Sequence, residues 1–141
     1  MKLLIPFRIG YQYENWERYL EIQFDSDEEV FGGKLYCRYH WIGEQQKKFL
    51  GIIPNDTELI FYWDILSIVI LKFSSTNNLN TLHNNLTTKF IHYEKNIINK
   101  VLISKFTHNA ITYWYFTKSE YTFVIYGNPT DVEIFYNTLL C

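Results

Sequence analysis

The sequence predicts an α+β fold dominated by an antiparallel sheet with a C-terminal amphipathic helix, and three observations carry that prediction. Ala110 is the only alanine among 141 residues, 19% of the chain is aromatic, and apolar residues recur with a period of two in four separate runs. Alanine is the best helix former and aromatic side chains suit a pleated surface, so this composition argues against a helical bundle. The third mark is a capped, 3.6-period ending. One domain spanning residues 1–141 is expected, because a chain of this length buries about two thirds of its unfolded surface and folds without staples.

The elements follow in order. In "RYLEIQFD" (18–25), Leu20, Ile22 and Phe24 alternate with Tyr19, Glu21 and Gln23, which predicts a half-buried strand with its acidic side in water. After the carboxylates of 25–29 and Gly32-Gly33, alternation resumes across 34–42, with Leu35, Cys37, Tyr39 and Trp41 on one face and Tyr36, Arg38, His40 and Ile42 on the other. These two runs read as a hairpin. A shorter strand is expected in "KKFLGIIPND", and 58–73 is long enough for one bent strand or two joined near Asp64 and Ser67. Residues 74–85 are Asn-rich and polar, as an exposed connection would be. Leu79, Leu82, Leu86 and Phe90 nevertheless recur at helical spacing, which allows a helix over 79–92. Strands return from Val101 through 110–117 and 121–127, around a turn at Lys118-Ser119-Glu120. At the end Asn128 caps, Pro129 opens the helix with its fixed φ, and Asp131 and Glu133 suit the positive helix terminus. Val132, Phe135, Tyr136 and Leu139 then form one apolar stripe on a helix from Pro129 to Leu140.

The formal net charge of −2 and the isoelectric point near 6.1 exclude a dedicated nucleic-acid binder, whose affinity rests on a basic surface. The charge is unevenly spread. Residues 1–31 carry seven acids and three bases, whereas 32–141 carry eight acids and ten bases. Between Glu14 and Glu29 the carboxylates Glu14, Glu17, Glu21, Asp25, Asp27, Glu28 and Glu29 face only Arg18. Two cysteines, Cys37 and Cys141, are too few for a disulfide scaffold and suit a reducing, cytoplasmic setting. Pro6 and Arg8 interrupt the first apolar run before it reaches a secretory core, and the most apolar stretch, 59–73, contains Asp64 and Lys72. Neither a leader nor a membrane span is therefore expected.

No catalytic signature emerges. Cys37 and His40 are three apart on a strand and so point to opposite faces. His83, His92 and His108 are scattered without metal spacing, and no phosphate loop or dinucleotide fingerprint occurs. Neither enzyme, metal nor cofactor is expected. Two surfaces remain. Tyr11, Tyr13 and Trp16 sit beside the acid segment, and an aromatic centre ringed by carboxylates suits a basic protein partner. Alternatively, Lys34 and Arg38 share a strand face, and with Lys47 and Lys48 they form a basic patch for a phosphate or lipid head group.

An aromatic-rich, mildly acidic chain without catalytic motifs, opening "FRIGYQYENWERYLEIQFDSDEE", resembles the immunity proteins of bacterial contact-dependent growth-inhibition and related polymorphic toxin systems. That resemblance implies a cytoplasmic antidote binding the toxin of its own system, with Asp25, Asp27, Glu28 and Glu29 mimicking a nucleic-acid backbone against a nuclease cleft. A second likeness is one of fold. The strand "ELIFYWDILSIVI", further antiparallel strands and a capped C-terminal helix are similar to pleckstrin-homology-like domains, which implies a barrel that binds lipid or peptide.

Overall fold

The computed structural model describes residues 5–22, 28–31, 34–43, 46–74, 79–90, 92–98 and 100–137. Among the described residues nine strands form one antiparallel sheet: β1 (Leu20–Ile22), β2 (Glu28–Phe31), β3 (Lys34–Trp41), β4 (Asp56–Tyr62), β5 (Ile65–Phe73), β6 (His92–Ile98), β7 (Val101–His108), β8 (Ile111–Lys118) and β9 (Tyr121–Gly127). Helix α1 (Leu79–Lys89) stands between β5 and β6 in the chain, and α2 (Pro129–Phe135) follows β9. The order across the sheet is β1-β3-β4-β5-β9-β8-β7-β6, and β2 also pairs with β3. Two meanders thus meet where β5 pairs with β9, and the segment carrying α1 takes the chain from the sheet's centre to its far edge. The α+β, mainly antiparallel class is the one the alternation predicts. A closed barrel requires the end strands to pair, and the described residues contain no ladder joining β6 to β1 or β2.

Each strand is legible in its residues. In β5 the run Leu66–Leu71 is buried throughout, as a central strand covered on both faces must be. The hairpin expected between 18–25 and 34–42 exists as pairing of β1 with β3, Leu20 opposite Trp41 and Ile22 opposite Tyr39, but it is not a direct one. Strand β2 stands between them in the chain and pairs with the other half of β3. Residues 58–73 resolve into two strands joined at Trp63-Asp64. The strand expected in 47–53 is a correction: Phe49 and Ile52 only bridge each other across a tight turn at Leu50-Gly51, both with positive φ. Strand β6 escapes the sequence pattern because Glu94, Lys95, Asn96 and Ile97 are all exposed at the sheet's edge, so no apolar alternation marks it.

Both faces of the sheet are buried. The first face holds Phe61, Val69, Leu71, Phe73, Phe106, Tyr113, Val124 and Tyr126. Leu82 and Leu86 of α1, Phe49 and Leu50, and the N-terminal segment through Phe7 close it. Asn85 Nδ2 donates to the Leu50 carbonyl at 2.9 Å and ties α1 to the 49–52 turn. The N-terminal segment is latched by fully buried Tyr126, whose hydroxyl donates to the Phe7 carbonyl at 2.7 Å and accepts from the Phe7 N–H at 3.2 Å. The second face holds Tyr36, Ile60, Ile68, Ile70, Trp114, Phe116 and Ile125. Helix α2 lays Val132, Phe135 and Tyr136 on it, and the Asn128 side chain caps the helix by accepting from the Thr130 N–H at 3.1 Å. Leu139 of the predicted stripe lies outside the described residues. Gly127 stands where β9 meets β5, and a Cβ there would collide with the Ser67 carbonyl oxygen, so no other residue fits without moving backbone.

Two predictions follow from this packing. Phe135 is fully buried, and Phe135→Ala should cost about 3 kcal/mol or more through lost burial and a cavity, read from the urea midpoint. Burial raises the Tyr36, Tyr113 and Tyr126 phenols above their ordinary value of 10.0, with the Asp131 hydrogen bond adding to the effect at Tyr36. The folded state therefore holds these protons more tightly than the unfolded chain. Stability should be intact below pH 10 and fall as pH rises beyond it, by about 1.4 kcal/mol per pH unit for each tyrosine that ionises only on unfolding. Urea titrations at stepped alkaline pH measure that slope.

Candidate functional site

The N-terminal segment crosses the first face as a cover and meets the sheet at the β4–β5 turn. Gly10 N–H donates to the Leu66 carbonyl at 2.8 Å, Leu66 N–H to the Tyr11 carbonyl at 2.8 Å, and Tyr13 N–H to the Asp64 carbonyl at 2.8 Å. Two short 3-10 turns, Tyr13–Asn15 and Glu17–Tyr19, then carry the chain over β4 and β3 into β1. Because these turns lie on an apolar sheet, their aromatic residues divide. Tyr13 packs on Tyr39 and Phe61 with ring centres 5.1 and 5.4 Å away, and half-buried Trp16 meets Phe7 at 5.6 Å. Those two are core. Tyr11, 45% exposed, and Tyr19, 40% exposed, remain on the surface.

The carboxylates take the outer side of the same cover. Glu14 and Glu17 are exposed and line a concavity of 660 Å³ with Asn15, Arg18 and Tyr19. Burial raises the Tyr13 phenol above its ordinary value, and the negative charges of Glu17 and Asp64 raise it further against a lowering hydrogen bond from Tyr39. Among the described residues Glu14, Glu17 and Asp64 enter no ion pair or side-chain hydrogen bond. In the ladders Glu21 lies opposite His40, Glu28 opposite Cys37 and Glu29 opposite Tyr36, which sets all three on the outermost strands of this edge. Asp25 and Asp27 lie outside the described residues.

The structure adds a residue to this surface that the pattern of the sequence did not single out. Trp63, at the tip of the β4–β5 hairpin, is 82% exposed, and Asp64 beside it is exposed too. Tyr13, hydrogen-bonded to Asp64, leads directly to Glu14, so the hairpin tip and the acidic cover share one corner. The signal was the dipeptide Trp-Asp placed between two apolar runs, where a two-residue turn has to lie.

The basic residues are not gathered in the same way. Arg38 makes a bidentate pair with Glu58, Nε to Oε1 at 2.8 Å and Nη2 to Oε2 at 3.0 Å, and stands over the Phe135 ring on the second face. Lys47 Nζ lies 5.6 Å from the centre of the Trp41 ring, which belongs to the first face, and Lys48 is exposed beyond it. Lys34 opens β3 opposite Phe31. His40 pairs with Asp56 at 2.7 Å, while Cys37 shares the opposite face with Tyr39 and Trp41. A cleft of 420 Å³ between β6–β8 and α2 is lined by Glu94, Lys105, Trp114 and Glu133, and the chain's own Lys105 ammonium covers the indole at 4.2 Å.

No protein family, curated protein or solved structure matches the chain. Among the described residues no helix is long and apolar enough to cross a membrane, and no cluster of three potential metal ligands occurs.

The Arg38–Glu58 pair is half-buried, and a guanidinium whose charge is already balanced by a bidentate carboxylate offers a phosphate little net attraction. Arg38→Gln should therefore act on stability, lowering it by roughly 1–3 kcal/mol because the Glu58 charge is left without its partner. Urea unfolding of the variant beside the parent checks this.

Proposed function

We propose that the chain is a protein-binding inhibitor: a cytoplasmic immunity protein that seats its acidic and aromatic corner in the cleft of a basic toxin domain, a nuclease. One observation carries the reading. Exposed rings and uncompensated carboxylates meet on one corner, in Tyr11, Glu14, Glu17, Tyr19, Trp63 and Asp64, whereas Glu58 is paired with Arg38 and Asp56 is hydrogen-bonded to His40. Amphipathic aromatics supply contact area at low entropic cost, and unpaired acids steer a cationic partner and set its register. Carboxylates at the sheet edge also stand in for phosphates before a cleft that binds nucleic acid. The adaptor reading, through Lys34, Arg38, Lys47 and Lys48, lacks this support, since Arg38 is already bonded and Lys47 lies over the opposite face.

The test is co-expression with the polypeptide encoded immediately upstream of this chain's gene. Wild type should rescue growth and bind with strong salt dependence. Changing the exposed Glu14 and Glu17 to Lys should leave the fold nearly intact, because surface charges contribute little to stability, yet abolish rescue while the protein still accumulates. Equal rescue by the reversed protein, with unchanged salt dependence, refutes the acidic surface.

A further inference from the structure

We infer that the β4–β5 hairpin tip is the anchor of this surface: Trp63 enters an apolar pocket of the partner protein, and Asp64 and Glu14 meet lysine or arginine side chains on that pocket's rim. The inference rests on the protein-binding reading above and adds the residue on which affinity depends.

The backbone makes the first argument. Tyr62 pairs with Ile65, so Trp63 and Asp64 form a two-residue connection, with φ of 51° and 60°. Positive φ at both positions is the turn that suits Asn-Gly, because a Cβ crowds the neighbouring carbonyl there. The comparable β7–β8 connection has the small pair Asn109-Ala110 at φ of 50° and 65°. A tryptophan in this position is strained.

The side chain makes the second. A ring that is 82% exposed contributes little to the core, and its aromatic contact is an edge-on one with Tyr62 at 6.3 Å. The fold therefore carries a strained, water-exposed indole without a structural return. Such residues cluster at functional sites, and tryptophan is the residue most enriched where binding energy concentrates.

The mount makes the third. Tyr13 N–H holds the Asp64 carbonyl, Gln12 bridges Ile65, and Leu66 N–H holds the Tyr11 carbonyl, so the segment beside the turn is fixed from the N-terminal cover. An indole presented on a rigid base loses little freedom on docking. Asp64 is its chain neighbour, and the bond from Tyr13 N–H to the Asp64 carbonyl brings the segment with exposed Glu14 and Glu17 to the turn, while Arg8 is turned onto the Tyr11 ring. A pocket rimmed by cations complements this ring of charge.

The experiment uses the full chain and the upstream-encoded polypeptide in a surface-binding assay. Trp63→Ala should weaken binding at least thirtyfold, mainly through faster dissociation, and Trp63→Phe should recover part of it. Asp64→Asn should slow association and flatten its salt dependence. Replacing the turn, Trp63→Asn with Asp64→Gly, should raise the melting temperature while losing binding. Wild-type binding with Trp63→Ala within threefold of it overturns the anchor alone and leaves the inhibitor reading standing. Absence of wild-type binding overturns both. A turn replacement that melts at or below the wild-type temperature also overturns the anchor, since the indole would then serve the fold.

Discussion

The nine described strands must be covered on two faces, and the described helices are only eleven and seven residues long. Most of the architecture answers that shortage. Helix α2 closes the second face near β5, β8 and β9. The first face is wider than α1, so irregular chain completes it: the N-terminal segment, the 49–52 turn and a set of large rings. Irregular backbone makes few ladders of its own, and it therefore needs side chains that bury much area per residue. The aromatic content of the chain is a consequence. Phe49, Phe90, Tyr113 and Tyr126 pack ring on ring, with Phe90 4.9 Å from Tyr113 and Tyr113 5.2 Å from Tyr126.

The same shortage shapes the candidate surface. A cover made of 3-10 turns presents alternate sides to core and solvent at close intervals, so Tyr13 and Trp16 turn inward while Glu14 and Glu17 turn outward. Binding residues on such a cover inherit the rigidity of the sheet beneath. Hydrogen bonds from Gly10, Tyr13 and Leu66 lock the cover to β5 just where the Trp63 hairpin projects. The surface therefore stands on the best-buried part of the molecule.

Much of this was written in the pattern of residues. Alternation marked β1, β3, β8 and β9, and the Asn128-Pro129 cap with its apolar stripe marked α2, because each signal reports one element packed on one apolar face. Leu82 and Leu86 likewise marked α1 among its polar neighbours. What was not legible depended on neighbours distant in the chain. Glu94 to Ile97 of β6 are all exposed, Phe49 and Leu50 are buried in a turn instead of a strand, and Trp16 is held by Phe7 while Trp63 stands in solvent. The acidic segment was legible as composition. Its meeting with the β4–β5 turn was not, since those contacts join segments distant in the chain, Tyr13 to Asp64 and Gly10 to Leu66.

The latch between Tyr126 and Phe7 spans 119 positions of sequence. A chain emerging from the ribosome N-terminus first makes this cover long before the hydroxyl that fastens it. Strand β5 shares this delay, for its second neighbour is β9, and until β9 arrives one edge of the most apolar strand lies open beside a loose, ring-bearing segment. Contacts of such long range slow folding, and an uncovered apolar edge invites pairing with another chain. The order of synthesis thus makes the nascent protein dependent on shielding until its last strand is in place.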